Sequence, residues 1–395
     1  MISICPDKKF REAALLGRQI LNYLDYLEEV VKQENVQAMK LVLEDGSVFK
    51  GFGFGADKSV CGEVVFNTGM TGYVETFSDC SYTGQILVCT YPLIGNYGVP
   101  SMGDDPIKSS FESDGMKILG LVVAEASPGY SHATAVSNLD DWMKSSGVPG
   151  ITGIDTRALT QKLREYGVMK GSIVPDDDDD TVLMQTSLDL DKVVQQVSIK
   201  EPMTYMAGDM SVLVVDCGVK LNIIRCLLER GITVHRVPWD TNLLTVDYDF
   251  DGVLISNGPG DPKNVMPLVS QVRMMLEQNK PIFGICLGNQ MLALASGADT
   301  YKLKYGHRSQ NQPCQDLFTR RCVITSQNHG YAVREDSIQP EWDSWFVNIN
   351  DGTNEGVRHR HKPFFSVQFH PEAAPGPVDT EFLFDDFARV LAQSR

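Results

Sequence analysis

One cysteine in this 395-residue sequence stands where a nucleophile would be expected. Cys286 lies in Gly-Ile-Cys-Leu-Gly (284–288), directly after the apolar run 281–285 and before the apolar stretch 287–296. A glycine two residues to either side permits the tight strand-to-helix turn known as a nucleophile elbow. Such a turn holds the thiol at a helix N-terminus, where the dipole and free amides favour a thiolate. The pattern predicts a nucleophilic cysteine followed by an oxyanion donor, the amide of Leu287; a buried structural cysteine is the alternative.

A second segment, near the C-terminus, could supply the base that a thiolate nucleophile needs. His370 and Glu372 stand in Gln-Phe-His-Pro-Glu after the apolar run 363–367, and Pro371 makes the turn between them rigid. A carboxylate beside an imidazole fixes its tautomer and stabilises the imidazolium. Taken alone, this segment also fits a surface turn. Together with the cysteine elbow, it predicts a Cys–His–Glu triad.

Two further segments could line a polar pocket beside these groups. The loop 256–262, Ser-Asn-Gly-Pro-Gly-Asp-Pro, follows a strand-like run and exposes backbone amides that could supply a second oxyanion donor. The segment 327–331, Gln-Asn-His-Gly-Tyr, offers an amide side chain, a bare glycine backbone and an aromatic ring. An ordinary turn is the alternative for the loop.

The apolar pattern after residue 210 supplies the elements that must position these groups. Short apolar runs alternate there with helical patterns. This alternation predicts a parallel sheet with right-handed crossovers, and ligand sites in such sheets lie at the carboxyl ends of the strands. The predicted strands are 211–216, 232–237, 252–256 and 281–285, and the predicted helices are 220–230, 266–278 and 287–296.

The sequence before residue 210 follows a different pattern. Residues 40–43 and 48–52 flank Glu-Asp-Gly-Ser, a hairpin signal, and Gly-rich turns separate further short apolar stretches. A capped helix is predicted over 156–166. The block therefore predicts a mixed α+β domain. It ends in five aspartates at 176–180, which we interpret as a solvated loop because adjacent like charges repel.

An amphipathic helix is predicted over 10–34. Its apolar residues fall on one stripe, with Lys, Arg and Glu elsewhere. Such a stripe must be buried, either against this chain or against a partner.

Composition and charge limit the classes of partner. There are 35 Lys and Arg against 51 Asp and Glu, so the formal net charge is −16. This acid excess repels nucleic-acid backbones and anionic membrane surfaces, and neither is expected as a partner. No apolar run approaches the roughly 20 residues of a membrane span, and no signal-peptide pattern is present. The nine cysteines include no Cys-x-x-Cys pair, which favours a cytoplasmic setting and no metal site.

These motifs together resemble a known family. The elbow Gly-Ile-Cys-Leu-Gly-Asn-Gln, the loop at 256–262 and the segment Gln-Phe-His-Pro-Glu-Ala-Ala are similar to the class I triad glutamine amidotransferases. The segments 62–73, 79–82, 90–98 and 153–160 resemble the small subunit, or glutaminase domain, of carbamoyl-phosphate synthetase. The resemblance covers the chain from residue 39 to its end.

The resemblance implies an α/β fold. A mixed α+β N-terminal domain would precede a class I glutaminase domain with a mostly parallel, doubly wound sheet. The implied limits are a helical N-terminal extension at 1–38, the carbamoyl-phosphate synthetase small-subunit N-terminal domain at 39–185, a linker at 186–209 and the class I glutamine amidotransferase domain at 210–395.

The family pattern implies a role for each residue that matches it. Cys286 would attack the side-chain amide of L-glutamine, His370 would protonate the departing ammonia, and Glu372 would orient His370. The amides of Leu287 and Gly258 would hold the oxyanion. The residues implied to bind glutamine are Ser81, Gly258, Gly260, Leu287, Gln290, Asn328, Gly330 and Tyr331.

The resemblance also implies a partner. The family couples the glutaminase to a synthetase that makes carbamoyl phosphate from bicarbonate, ammonia and ATP. No Gly-x-x-x-x-Gly-Lys-Ser/Thr run occurs here, so we expect no cofactor in this chain. ATP and Mg are expected only in a carbamoyl-phosphate synthetase large subunit or fused synthetase domain, contacted mainly by the N-terminal domain. The segments Thr-Ser-Gln-Asn-His-Gly and Asn-Gln-Pro-Cys favour the pyrimidine pathway over arginine synthesis.

Two positions depart from the family pattern, and two other functions stay open. Asn289 stands where many members have His, and Tyr331 where Phe is common, but neither change removes a triad residue. The chain could instead be the glutaminase component of another synthetase, which the N-terminal block disfavours. A non-catalytic regulatory or scaffold module is disfavoured by the intact Cys286, His370 and Glu372.

Overall fold

Two large β-sheets organise the computed structural model, which describes residues 37–178 and 190–395. The first sheet closes into a barrel between residues 38 and 175, and the second contains ten strands between residues 203 and 367. The helix expected at 10–34 lies outside the described residues. The limits expected for the four segments of the chain stay predictions.

The barrel is built from short strands joined by turns. Its strands are β1 (Ala38–Leu43), β2 (Val48–Gly55), β3 (Val60–Asn67), β4 (Gln85–Cys89), β7 (Gly120–Val122), β10 (Pro149–Thr152) and β11 (Met169–Pro175). They pair in the closed order β1–β11–β3–β4–β7–β10–β2. Two small two-stranded sheets pair β5 (Leu93–Ile94) with β8 (Glu125–Ala126) and β6 (Val99–Pro100) with β9 (Ala135–Ser137). The predicted hairpin is confirmed, because β1 and β2 pair antiparallel with Lys40 opposite Lys50.

Three helices cover the barrel: α1 (Tyr73–Ser78), α2 (Leu139–Ser146) and α3 (Thr156–Tyr166). The bounds predicted for α3 are confirmed, and the Asp155 carboxylate caps it by accepting a hydrogen bond from the Ala158 amide. Because successive strand residues point to opposite faces, Val64 packs in the core shared with α3 and Val65 in the core shared with α1 and α2. The block thus contains strands and helices, as expected, although closure of the sheet was not predicted.

The second sheet lies in the C-terminal half of the chain. Its strands are β12 (Met203–Tyr205), β13 (Met210–Asp216), β14 (Ile232–Pro238), β15 (Gly252–Ile255), β16 (Ile282–Ile285), β17 (Thr300–Asp316), β18 (Cys322–Val333), β19 (Trp342–Asn348), β20 (Asn354–His359) and β21 (Phe364–Val367). They follow the order β12–β14–β13–β15–β16–β21–β20–β19–β17–β18.

Helices cover both faces of this sheet. They are α4 (Val193–Val197), α5 (Leu221–Glu229), α6 (Met266–Met275), α7 (Leu287–Ser296) and α8 (Phe382–Gln393). Leu213 of β13 packs on the face covered by α6 and α7, whereas its neighbour Val214 packs on the face covered by α5 and α8. Helices therefore lie on both faces of this sheet.

The prediction of a mostly parallel sheet is wrong for the sheet as a whole, because five of its nine strand pairs are antiparallel, the β12–β14 pair among them. The run β14–β13–β15–β16–β21 is parallel, as the alternation of strands and helices predicted. The pairs that join β21, β20, β19, β17 and β18 in that order are antiparallel. Since chain-adjacent strands here are joined by turns rather than helices, they fold back on one another.

The cysteines and the helices are relevant to the predicted cytoplasmic setting. Eight cysteines in the described ranges are free thiols. No helix in the described part of the chain is long and apolar enough to cross a membrane. The cytoplasmic setting stays a prediction.

Candidate active site

The turn that carries Cys286 is a strand-to-helix elbow between β16 and α7. Cys286 has φ 55° and ψ −102°, a left-handed backbone that is strained for a residue with a side chain. Its amide donates a hydrogen bond to Val367 O over 2.9 Å. A Cβ on Gly288 would lie 2.1 Å from Ile255 O, and one on Gly284 would lie 2.6 Å from Gly288 O. Close backbone contact therefore requires glycine on both sides of the thiol.

Two backbone amides beside the elbow are free to bind an anion. Leu287 is the first residue of α7, where amides have no acceptor within the helix. Gly258, in the loop after β15, packs against it, since a Cβ there would lie 2.9 Å from Leu287 Cδ2. No described residue accepts a hydrogen bond from either amide. Both residues line one cavity with Cys286, as the sequence predicted for an oxyanion hole.

His370 and Glu372 form the second part of the predicted triad. His370 Nδ1 lies 2.6 Å from Glu372 Oε1, and both side chains are buried. The His370 amide donates to Ser326 O over 2.9 Å and so anchors the histidine backbone against β18. Because Nδ1 contacts Glu372, Nε2 is the ring nitrogen that remains for proton transfer. Nε2 is buried and has no hydrogen-bond partner among the described residues.

The electrostatics favour a charged imidazole beside the thiol. Burial opposes charging, but the Glu372 carboxylate and the nearby Cys286 sulfur together raise the pKa of His370 to about 10. The Cys286 thiol makes a long contact, 3.7 Å, with Asn328 O. Such loose geometry is usual in a site without substrate. At neutral pH His370 is therefore an imidazolium, which can give a proton to a neighbouring group.

A lysine that the sequence analysis did not single out completes this charge network. Lys220, at the start of α5, is buried, and its Nζ lies 3.0 Å from Glu372 Oε1. Burial would raise the pKa of Glu372, but Lys220 and His370 lower it to about 2. The carboxylate thus stays ionised between two cations. Lys220 was missed because its sequence position is that of an ordinary exposed residue at a helix start.

The residues implied to bind glutamine lie together. They surround a cavity of about 290 Å³, close to the lower end of small-molecule pockets and suited to an amino acid. His370 and Glu372 do not line this cavity; His370 lines a small neighbouring space with Lys220 and Asp79. The lining includes every predicted binding residue, namely Ser81, Gly258, Gly260, Leu287, Gln290, Asn328, Gly330 and Tyr331.

Asp79 of the barrel connects the two halves of the cavity wall. Its carboxylate accepts hydrogen bonds from the Ser81 amide, at 2.8 Å, and from Asn328 Nδ2, at 2.9 Å. Asn257, after β15, donates to Ser81 Oγ over 3.1 Å. Ser81 is thereby held against the second sheet, as expected for a substrate residue supplied by the first domain. Asp79 itself was not singled out, because its role depends on contacts between distant segments.

Gln290 is fixed from behind by a set of amides. Its Nε2 donates to Tyr331 O over 2.9 Å and to Gln368 Oε1 over 3.1 Å. Asn289, one of the departures from the family pattern, is buried outside the cavity and donates to the same Gln368 oxygen over 3.1 Å. Its carbonyl oxygen accepts a bond from Ser366 Oγ at 2.8 Å. Asn289 therefore helps to hold the Gln290 side chain in place through Gln368.

A buried arginine also reaches the cavity. Arg308 of β17 is 5% exposed and lines the cavity with Cys286 and Gly330. Its Nη1 donates to Tyr305 O over 2.7 Å, whereas its Nε is buried without a partner among the described residues. Nothing in the local sequence sets Arg308 apart from the other polar residues of its long strand.

One side-chain cluster in the described residues has ligand types that a metal could use. His307, His329 and Glu355 are buried with their ligand atoms within 4.8 Å of one another. His307 instead contacts two carboxylates, Glu355 at 3.2 Å and Asp351 at 2.9 Å, and these raise its pKa to about 9 against the effect of burial. A protonated imidazole is no metal ligand. The expectation of no metal or cofactor in this chain stays a prediction.

Family models match both halves of the chain. The glutamine amidotransferase class-I model matches residues 213–390, which include the elbow and the triad. The model of the carbamoyl-phosphate synthase small chain, CPSase domain, matches residues 41–173, which include the barrel.

Curated relatives combine the same two regions. The arginine-specific small chain of carbamoyl phosphate synthase from Emericella nidulans is 47% identical over 90% of this chain and 80% of its own. The multifunctional protein pyr1-3 of Dictyostelium discoideum is 47% identical, and the multifunctional protein CAD of Squalus acanthias 49%. The match takes in 88% of this chain but only 16% of each multifunctional protein. The chain belongs to the family of carbamoyl phosphate synthase small chains, with a class I glutamine amidotransferase region.

Proposed function

We propose that this chain hydrolyses L-glutamine to glutamate and ammonia through a thioester on Cys286, and delivers the ammonia to a carbamoyl-phosphate synthetase partner. The observation that carries the proposal is the strained elbow, which presents the thiol between two free amides and a buried imidazolium. A structural cysteine needs none of these groups. The membership of the chain in the small-chain family supports the same activity.

The first half of the reaction forms the thioester. The Cys286 thiolate attacks the side-chain carbonyl carbon of glutamine, and the carbonyl oxygen takes up the negative charge. The amides of Leu287 and Gly258 donate hydrogen bonds to this oxygen. His370 gives its Nε2 proton to the nitrogen, the carbon–nitrogen bond breaks, and ammonia leaves with a γ-glutamyl thioester behind it.

The second half releases glutamate. His370, now neutral, takes a proton from a water molecule as that water attacks the thioester carbonyl. The same two amides hold the second oxyanion, and the carbon–sulfur bond breaks to return the thiolate. Glu372 keeps the His370 tautomer fixed in both halves, because its contact with Nδ1 leaves Nε2 to face the reacting atoms.

The partner and the pathway belong to this proposal as well. The synthetase would bind ATP and Mg, and this chain would bind glutamine through the cavity-lining residues. The relatives include an arginine-specific small chain and multifunctional proteins of the pyr and CAD type, so they favour neither pathway. The pyrimidine pathway and the synthetase contact through the barrel remain our expectations.

Two other functions are less well supported. A glutaminase serving another synthetase would not need the barrel, whose sequence matches the carbamoyl-phosphate synthase small-chain model. A scaffold module without catalysis would need neither a cysteine that lines a cavity nor a buried His–Glu pair near it.

The proposal is tested by glutamate release from the purified chain, alone and with a carbamoyl-phosphate synthetase large subunit. We expect glutamine-dependent glutamate from the wild type and none from Cys286→Ser. Cys226→Ser is the matched control, because Cys226 is also buried but packs in the core against α8. Absence of glutamate from the wild type, even with the partner present, would overturn the proposal.

A further inference from the structure

Arg308 is a buried cation without an anionic partner. Its side chain is shielded from bulk water, and no described carboxylate lies within 4 Å of its guanidinium. The charges of Glu63 and the Cys286 sulfur favour its ionised form, yet burial outweighs them and lowers the pKa of Arg308. A buried charge is costly unless it is paired, so a guanidinium in this position calls for an anion.

The guanidinium belongs to the wall of the cavity expected to hold glutamine. A Cβ on Gly330 would lie 3.3 Å from Arg308 Nη2, and one on Gly306 would lie 2.5 Å from Nη1. Both glycines line the cavity together with Arg308. The missing side chains at these two positions therefore leave the two terminal nitrogens of the guanidinium uncovered.

The guanidinium has unused donors. Among its nitrogens, Nη1 donates to Tyr305 O, whereas neither Nε nor Nη2 has an acceptor among the described residues. Nε is closed off from the cavity, so Nη2 is the nitrogen that can donate a charge-assisted hydrogen bond to a carboxylate there.

The other cation of the cavity wall is already paired. Lys302 Nζ lies 2.7 Å from Glu63 Oε1, and its side chain is half exposed. Gln85 donates to the second oxygen of Glu63 over 3.1 Å, so that carboxylate is engaged on both sides. Among the described arginines and lysines that line the cavity, Arg308 is therefore the one whose charge lacks a close anion.

We propose that Arg308 binds the α-carboxylate of the glutamine substrate and selects α-amino acids with a free carboxylate. The inference rests on the proposed function, and it adds a specificity residue that the motifs did not contain. The carboxylate would accept a hydrogen bond from Nη2, next to Gly330. Substrate binding would then neutralise a charge that the empty site leaves buried.

The test compares two substrates. L-glutamine carries the α-carboxylate, whereas L-glutaminamide has a neutral amide in its place and keeps the same reacting side chain. Glutamate or isoglutamine is measured as product, with the synthetase partner present. We expect Arg308→Gln to raise KM for glutamine at least about tenfold with little change in kcat, because a desolvated charge partner is lost. KM for glutaminamide should change less than about threefold.

Two controls accompany the variant. Arg360→Gln makes the same chemical change at a half-exposed arginine outside the cavity, paired with Asp343 at 2.9 Å, and it should change KM for glutamine no more than about threefold. Arg308→Lys keeps the charge but loses the planar fork, so its KM should fall between those of the wild type and Arg308→Gln. Thermal melting of each variant reports whether the fold is kept.

The outcomes separate this proposal from the proposed function. A selective loss on glutamine supports the role of Arg308. Equal losses on both substrates would mean a structural role, and an unchanged KM for glutamine would mean no role; either result overturns the inference while the glutaminase stands. If the wild type releases no glutamate, the proposed function fails and the substrate role of Arg308 fails with it.

Discussion

Replacing Lys220 with methionine tests whether the triad depends on a third charge. Lys220 Nζ lies 3.0 Å from Glu372 Oε1, and that oxygen lies 2.6 Å from His370 Nδ1. All three side chains are buried. Met keeps most of the side-chain volume and removes the charge, so Glu372 would be left with His370 as its one close cation in the described part of the chain.

The size of the expected loss of stability follows from the distance between Lys220 and Glu372 and from the burial of both side chains. At an effective dielectric constant of about 20, two charges 3.0 Å apart attract by about 5 kcal/mol, which is a ceiling on the net effect. Removing one member of a buried pair typically costs about 3–5 kcal/mol. Because His370 still compensates Glu372, we expect a loss near the lower end, about 3 kcal/mol of unfolding free energy.

The pH dependence should shift in a definite direction. A carboxylate whose pKa is depressed in the folded state contributes stability above its unfolded pKa, and this contribution is lost as the pH falls through the folded value, about 2 here. Without Lys220 the pKa of Glu372 rises, so this contribution is smaller and is fully lost at a higher pH. The acid limb of kcat/KM for glutamine should move upward by the same cause.

Urea unfolding and the pH profile of glutamate release measure both effects. Lys263→Met is the matched control, since Lys263 pairs with Asp299 at 2.7 Å on the surface and should cost less than about 1 kcal/mol. If Lys220→Met unfolds within about 1 kcal/mol of the wild type and its acid limb does not move, the reasoning about this network is refuted.

Two further predictions concern the elbow and the contact between the sheets. Gly288→Ala would place a Cβ 2.1 Å from Ile255 O, so α7 must shift and kcat should fall at least about a hundredfold, because small displacements of reacting groups are that costly. The control is Gly129→Ala, whose Cβ would have no atom within 4 Å and should leave kcat unchanged. An active Gly288→Ala enzyme would contradict the account. Burial raises the pKa of Glu112, which contacts Arg225 at 2.9 Å, to about 7. Between about pH 4.5 and 7 the folded protein then holds a proton that the unfolded chain has lost, so stability falls as the pH rises. Glu112→Gln should flatten this part of the curve in urea titrations, and an unchanged slope would contradict the assignment.

The sequence predicted the parts of the fold that depend on local pattern. Strand–helix alternation located β13 to β16 and the helices between them, and capping residues located α3. The barrel closure and the antiparallel half of the second sheet depend on pairing between distant strands, such as β1 with β11. Local periodicity carries no information about that pairing, which explains why both were missed.

The residues of the candidate site also divide into those that local motifs predicted and those that they did not. Motifs singled out Cys286, His370 and the cavity-lining residues, because each lies in a short segment with its own turn chemistry, and the structure places these segments side by side. Lys220, Asp79 and Arg308 were missed, since their importance comes from burial and from partners far away in sequence. A polar residue that looks ordinary in the sequence can therefore be a costly buried charge in the folded chain.

Trapping the reaction intermediate tests the central claim most directly. The enzyme is mixed with L-glutamine, quenched in acid after a fraction of a turnover, and digested for mass spectrometry of the peptide that contains Cys286. The account predicts a γ-glutamyl group on Cys286, formed in the wild type and absent from Cys286→Ala. Glutamate release without any acyl group on that peptide, or an undiminished rate in Cys286→Ala, would contradict it.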